Sequence, residues 1–289
     1  NRQSNNLSLC PKKLDQHTDG GLTFELPAAL DQALVAAGYK GKLGAPALTS
    51  LVHRVAVLSK AHQIAVADNP CQQPRVRELL AKCRRAYAKR GALPLKKPAL
   101  TREPLQALLD TCDDSLCGLR DKALLLFAFS SGGRRRSEVV SACFSNLMRE
   151  GESFVFVLNH SKTNQAGVER IDSDKPVAGR AAVALSAWLA AAKIKDGAVF
   201  RRVRRGGVIG EPLSPAAVGQ IVKSRCLLAG LPANYSAHSL RSGFVTEAGR
   251  QQIPLGETMA LTGHRSTASL VGYFRVNVEQ SRAARLLDE

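Results

Sequence analysis

The stretch GALPLKKPALT, residues 91–101, constrains the fold more than any other. It combines a glycine, two prolines and two lysines with no periodicity, so no helix or strand is expected to run through it. Segments of helical spacing lie on both sides. The chain is therefore expected to form two bodies joined here: a flexible arm over residues 1–21, a helical domain over 22–91, a linker over 92–100 and a second domain over 101–289.

On the first side, Pro27 to Ala37 shows helical spacing with proline at the first turn and a stop at Gly38. Pro46 opens a second helix, in which Leu51, Val55 and Leu58 suit a buried stripe. Asn69-Pro70 breaks the pattern, and a third helix ends at Gly91. There Val76, Leu79, Leu80, Cys83 and Tyr87 are expected to face a core, while Arg75, Lys82, Arg85 and Lys89 face out.

On the second side, helical patterns cover Arg102–Thr111, Gly118–Phe129 and Ser137–Leu147. Phe154 to Val157 reads as a strand, NHSKTNQAG as a turn and VERID as the returning strand. A helix around Trp188, a loop-rich basic segment FRRVRRGGVIGEP and further helices from Pro215 follow. The expected class is mainly α with a small antiparallel sheet, α+β, in the second domain.

Charge narrows the partner. Lys and Arg number 41 against 24 Asp and Glu, a formal net charge of +17 spread along the chain. Such an excess points to an anionic partner, and nucleic acid is the natural one. Aromatic residues are 5% of the chain, too few for single-strand stacking platforms. The longest apolar run, Ala123 to Phe129, is far short of the roughly 18 residues of a membrane span. Cys10, Cys71, Cys83, Cys112, Cys117, Cys143 and Cys226 are odd in number and scattered, which reads as reduced thiols in a cytoplasmic protein.

Three short segments carry chemistry. In SAHSLRSGF, Ser236 suits an N-cap, and His238 and Arg241 then share one face near a helix N-terminus, where free N–H groups favour anions. In TGHRSTASLVGYFR, His264 follows Gly263 and Tyr273 lies nine residues further on. In SSGGRRRSEVV, Arg134, Arg135 and Arg136 stand between a glycine pair and a helix, with Glu138 in reach to orient one of them. Lys162 sits in the turn after the Phe154 strand. Each motif alone also fits a surface pair, a core tyrosine or a basic helix cap. Together they offer a hydroxyl nucleophile, cations to neutralise a phosphate during in-line displacement, and a lysine to protonate the leaving alkoxide. The product would be a phosphotyrosine ester, reversible without ATP.

Arg135 with Arg136-Ser137-Glu138, Lys162, His238-Ser239-Leu240-Arg241, Gly263-His264 and Tyr273 resemble the signature set of the tyrosine recombinases, or phage integrases, from about Leu100 to Phe274. The resemblance implies a helical core-binding domain and an integrase-type catalytic domain forming a C-shaped clamp on a specific double-stranded DNA site. It also implies a homo-tetramer on paired sites and no cofactor or metal. Carried over, Tyr273 is the nucleophile, Arg135 and Arg241 hold the scissile phosphate and Lys162 is the general acid. His238 assists proton transfer, His264 holds the phosphate and Glu138 supports. DNA contacts are expected from Arg75, Lys82, Arg85, Lys89, Lys96, Lys97, Arg134, Arg136, Arg201, Arg202, Arg204 and Arg205.

Two departures stand out. The first arginine is flanked by Arg134 and Arg136 where the family usually has apolar residues, so its register rests on the Arg-x-Ser-Glu spacing. Thr262 stands where leucine is common before Gly-His. A type IB topoisomerase, a telomere resolvase and a non-catalytic DNA-binding regulator of the same fold remain as alternatives. The tail from Glu279 reads as a small helix whose Ala283, Ala284, Leu286 and Leu287 need a docking surface, on its own domain or on a neighbouring subunit.

Overall fold

The chain divides into two units, residues 1–95 and 96–289. The structure, a computed structural model, describes residues 27–89, 91, 97–158, 174–232 and 234–271.

Unit 1 holds three helices, α1 Ala28–Ala36, α2 Leu48–Ile64 and α3 Pro74–Lys89. Pro27 precedes the first turn of α1, where its fixed φ costs no hydrogen bond. Buried Asp31 accepts from Lys40 Nζ and, at 2.7 Å, from the Gly44 amide, closing the loop after α1. Asn69 joins α2 to the turn before α3: its amide donates to Ser59 Oγ at 2.8 Å and its carbonyl accepts from the Cys71 amide. Tyr87 is buried and donates to the Pro46 carbonyl at 2.6 Å.

The two stripes of unit 1 fall one residue away from where the spacing put part of them. On α2 the half-covered positions are Leu48, Leu51, Val52, Val55, Ser59 and His62. On α3 they are Val76, Leu80, Ala81, Cys83 and Ala86, running on to buried Tyr87. Leu58 and Leu79, expected inside, are 50% and 49% exposed. Each precedes a covered residue by one position, which turns it about 100° around the helix axis.

Unit 2 is built on α5, Leu116–Ser130. Its Ala123 to Ala128 are all buried, and the helix packs along α7, Arg180–Ala191. Phe127 contacts Phe156 and Phe200, with ring centroids 5.2 and 5.4 Å apart. Trp188, fully buried, satisfies its indole N–H on the Val199 carbonyl at 2.9 Å. The helices α4 Arg102–Asp110, α6 Arg136–Val140, α8 Pro215–Leu228, α9 Ala237–Arg250, α10 Leu255–Thr262 and α11 Thr267–Val271 complete the helical part. Buried Arg225 of α8 pairs with Asp121 of α5 at 2.8 Å.

A three-stranded antiparallel sheet lies in the order β1 Leu147–Glu150, β2 Ser153–Val157, β3 Asp174–Val177. Opposite Phe154 stands Val177, and opposite Phe156 stands Lys175. VERID, expected as the returning strand, lies outside the described residues, and the strand paired with β2 is Asp174–Val177. The basic segment after Phe200, expected as loop, forms a hairpin of β4 Arg201–Val203 and β5 Ile209–Pro212.

The helix expected over Ser137–Leu147 ends at Val140. Long-range pairing overrides the local pattern there: the Ala142 carbonyl accepts from the Val199 amide, and Cys143 bridges to Ala198. Asn146 then caps the turn by accepting from the Cys143 amide at 2.8 Å, and Leu147 starts β1.

Two contacts fix the start of unit 2 against α9. The Leu100 amide donates to the Ser239 carbonyl at 2.9 Å. Gly243 leaves room for that chain, since a Cβ there would lie 1.9 Å from the Leu100 carbonyl oxygen.

A candidate phosphate-binding site

The site forms where the loop before α6 meets the N-terminus of α9 and the C-terminus of α10. The close approach depends on Gly132 and Gly133, at φ +99° and +68°. A Cβ on Gly132 would meet the Leu261 carbonyl oxygen at 2.4 Å, and one on Gly133 would meet the Arg241 Cα at 2.5 Å.

The arginine run separates into three environments. Arg134 is buried, donating from Nη2 to the Gly132 carbonyl at 3.1 Å and the Leu261 carbonyl at 2.5 Å. Its Nη1 lies 3.6 Å from Glu138. Arg135 caps α6 and donates from Nη1 to Glu138 Oε1 at 2.6 Å, while its amide donates to Oε2 at 3.0 Å. Its side chain stays 30% exposed, and its charge acts on both His238 and His264. Arg136 points to solvent. Arg134, expected among the DNA contacts, is thus corrected to an interior residue, because two carbonyls and a carboxylate occupy its guanidinium.

Burial alone would raise the Glu138 carboxyl, but the charge of Arg134 and the hydrogen bonds from Arg135 outweigh it and hold the pKa below the ordinary value. Desolvation lowers the Arg134 pKa to about 10, with Glu138 opposing and Arg241 and Arg135 adding to the fall. Arg134 therefore keeps its charge at neutral pH.

On α9, the Ser236 amide donates to Ser239 Oγ at 3.0 Å, which sets the helix start that carries His238 and Arg241. Arg241 is 1% exposed. It donates to the Gly133 carbonyl at 3.2 Å and the Thr262 carbonyl at 2.6 Å, and its Nη2 lies 3.4 Å from His264 Nε2. His238 is exposed, yet desolvation first, then Arg241 and Arg135, lower its imidazole pKa.

The tautomer of His264 follows from its neighbours. Thr262 Oγ1 uses its one proton on the carbonyls of Thr258, at 2.7 Å, and Met259, at 3.3 Å. It lies 2.7 Å from His264 Nδ1 and must accept there, so Nδ1 carries hydrogen. Nε2 then offers a lone pair to the guanidinium of Arg241, a group that can only donate. Desolvation, followed by the charges of Arg241, Arg135 and Arg134 and by His238, lowers the His264 pKa to about 4. The imidazole is neutral at pH 7.

The structure therefore brings together Arg135, Glu138, His238, Arg241 and His264 of the expected set. Lys162, Tyr273, Lys96 and the tail from Glu279 lie outside the described residues. Arg75, Lys82, Arg85, Lys89, Lys97, Arg202, Arg204 and Arg205 are exposed. Lys82 pairs with Glu78 at 2.9 Å, and Arg201 is turned back onto the carbonyls of Ala198 and Asp196. Two buried cations were not foreseen: Arg225 of α8, paired with Asp121, and, at this site, Lys175 of β3, whose Nζ donates to the Ala260 carbonyl at 2.7 Å. The sequence DKPV around it is too short to show that alternate residues face inward.

The chain matches the phage integrase family over residues 98–280. It is 34% identical over 224 residues to an integrase/recombinase XerD homologue of Selenomonas ruminantium, across 74% of this chain and 64% of the relative. The chain thus spans a little under two thirds of that relative's length.

Among solved structures, it resembles the XerH site-specific recombinase bound to a palindromic difH substrate in a post-cleavage complex. That likeness has a TM-score of 0.54 and 20% identity, over 68% of this chain and 55% of that one. It also resembles the Tn1549 transposon integrase in complex with circular intermediate DNA, with a TM-score of 0.56 and 14% identity, over 94% and 89%. For a lambda integrase dimer bound to a COC′ core site the values are 0.53 and 20%, over 86% and 63%. These likenesses establish the fold.

Proposed function

Because the chain belongs to the phage integrase family, we propose that it cleaves and rejoins duplex DNA at a specific site through a covalent bond between Tyr273 and a 3′-phosphate. The observation that carries this reading is the meeting of Arg135, His238, Arg241 and His264 at facing ends of α6, α9 and α10. Three groups able to donate to one phosphate, Arg135, His238 and Arg241, converge there with His264 beside Arg241 and without a carboxylate free to repel the phosphate, since Glu138 is committed to Arg134 and Arg135.

In the proposed reaction the Tyr273 hydroxyl attacks the scissile phosphorus and loses its proton. The bond from phosphorus to the 5′-oxygen breaks in line, and Lys162 delivers a proton to that oxygen. Arg135 and Arg241 each place fixed N–H donors where charge develops on the phosphate oxygens. His238, neutral at physiological pH, is suited to accept a proton. Attack by another strand's 5′-hydroxyl reverses the steps, so bond energy is conserved without ATP. Unit 1 is the proposed core-binding domain, its exposed α3 cations meeting DNA phosphates, and four subunits acting on paired sites are proposed to exchange strands.

The test is incubation with nicked site DNA followed by denaturing gels. The wild-type chain should leave a detergent-resistant protein–DNA adduct, and Tyr273→Phe should bind the DNA equally well and leave none. An adduct that persists in Tyr273→Phe would overturn the assignment of the nucleophile.

A further inference from the structure

The C-terminus of α10 is held by an unusual set of groups. The last carbonyls of a helix have no partner within it. Here the Met259 carbonyl takes the amides of Gly263, at 2.8 Å, and His264, at 3.2 Å. Each of the next three takes a cationic side chain from a different element. Lys175 of β3 serves Ala260, Arg134 of the loop before α6 serves Leu261, and Arg241 of α9 serves Thr262.

A helix C-terminus carries partial negative charge and attracts cations. Ending the helix does not need three of them, because Gly263 already stops it in the left-handed conformation at φ 68°. Burying so much charge is costly without a return elsewhere. What the three cations do is pin one turn of backbone immediately before His264. That turn carries Thr262, whose hydroxyl holds His264 Nδ1.

We propose that Arg134 and Lys175 are positioning residues: by fixing the last turn of α10 they hold Thr262, and through it the His264 ring, with Nδ1 protonated and Nε2 turned toward Arg241. All three cations are buried, at 2%, 2% and 1% exposure, but Arg134 and Lys175 reach the Leu261 and Ala260 carbonyls, whereas Arg241 also lies 3.4 Å from His264 Nε2. When it engages a phosphate, Arg134 and Lys175 keep the turn in place. The catalytic consequence rests on the proposed function, whereas the tautomer does not depend on it.

The experiment uses the full chain with isotope-labelled histidine, with the His264 signals assigned by their loss in His264→Asn. At about pH 7.5, above the ordinary imidazole pKa, the ring nitrogen shifts report the tautomer. Wild type should show Nδ1–H alone. Arg134→Met combined with Lys175→Met should show a mixture, and Arg134→Lys, which keeps a cation, should resemble wild type. If the folded double variant keeps the single Nδ1–H form, the proposal is overturned.

Should the double variant unfold, each single methionine variant and Thr262→Val give the same reading. The proposal then fails if none of these moves the tautomer. Cleavage of site DNA by the double variant should fall by about a hundredfold with DNA affinity unchanged, as expected for a misplaced catalytic group. In a His264→Ala background the same substitutions should cost little more. Absence of cleavage by the wild-type chain would overturn the proposed function and leave the tautomer result standing.

Discussion

The two units differ in what they bury. In unit 1 the buried positions among the described residues are Asp31 and Tyr87, and the cations of α3 stand in water. In unit 2, Trp188, Phe127, Phe156 and Phe200 form a dry core, and Arg134, Lys175 and Arg241 are buried as well. Taking an ion out of water costs several kcal/mol even after relaxation, and hydrogen bonds must offset it. A large core can hold ions in fixed geometry at that cost, while a thin helical unit leaves them solvated and adaptable. The first arrangement suits a site whose donors must already be in place, and the second suits contact with a backbone of many equivalent phosphates.

The sharpest test of the contrast is stability. Trp188→Ala should destabilise the full chain by about 3–5 kcal/mol, read from denaturant unfolding followed by circular dichroism. A loss under about 1 kcal/mol would mean that unit 2 lacks the rigid core assigned to it.

Next comes the site. Arg241→Ala and Arg135→Ala should each slow cleavage by about two to three decades, roughly 3–4 kcal/mol, with DNA affinity much less affected. Arg136→Ala should change the rate little. Equal damage from Arg136→Ala would show that the solvent-facing arginine does the work given to Arg135.

Acidification should act in the same unit with a smaller effect. The folded-state pKa values of His264, about 4, and of His238 lie below the ordinary 6.5, so between these limits the unfolded chain binds more protons. Stability should therefore fall as pH drops from 6.5 toward 4. Glu138, also lowered, should extend the loss as pH passes below its ordinary 4.5. His264→Asn should flatten the slope between 6.5 and 4, and an unchanged slope would contradict the neutral imidazole.

The smallest effect belongs to unit 1. Leu58→Ala and Leu79→Ala, at half-exposed positions, should each cost about 0.5 kcal/mol. Losses comparable to that of Trp188→Ala would place these leucines in a real interior and erase the difference between the units.

Periodicity revealed helices where the chain's neighbours in sequence are also its neighbours in space, as at α1, α4, α5 and α7. It failed at Ser141–Leu147, where pairing with Ala198 and Val199, more than fifty residues away, decides the outcome. It also failed by one position at Leu58 and Leu79, because an apolar pattern does not say which of two adjacent positions, Leu58 or Ser59 and Leu79 or Leu80, the packed face covers. In the site, the family resemblance singled out Arg135, Glu138, His238, Arg241 and His264, and the structure brings these five side chains together. Lys175 was not legible, since a lysine two residues after Ser173 carries no local sign that a distant helix end requires it. The three arginines looked alike in sequence and were separated by burial: Arg134 inside, Arg135 at the edge, Arg136 outside.

Leu100 has a mechanical meaning beyond its place in the core. Its amide is tied to Ser239, and its carbonyl lies in the notch left by Gly243, so the segment entering unit 2 is held to α9 within the first turns of that helix. His238 and Arg241 project from those same turns. A displacement of residues 97–100 therefore passes directly to the helix start that carries both side chains.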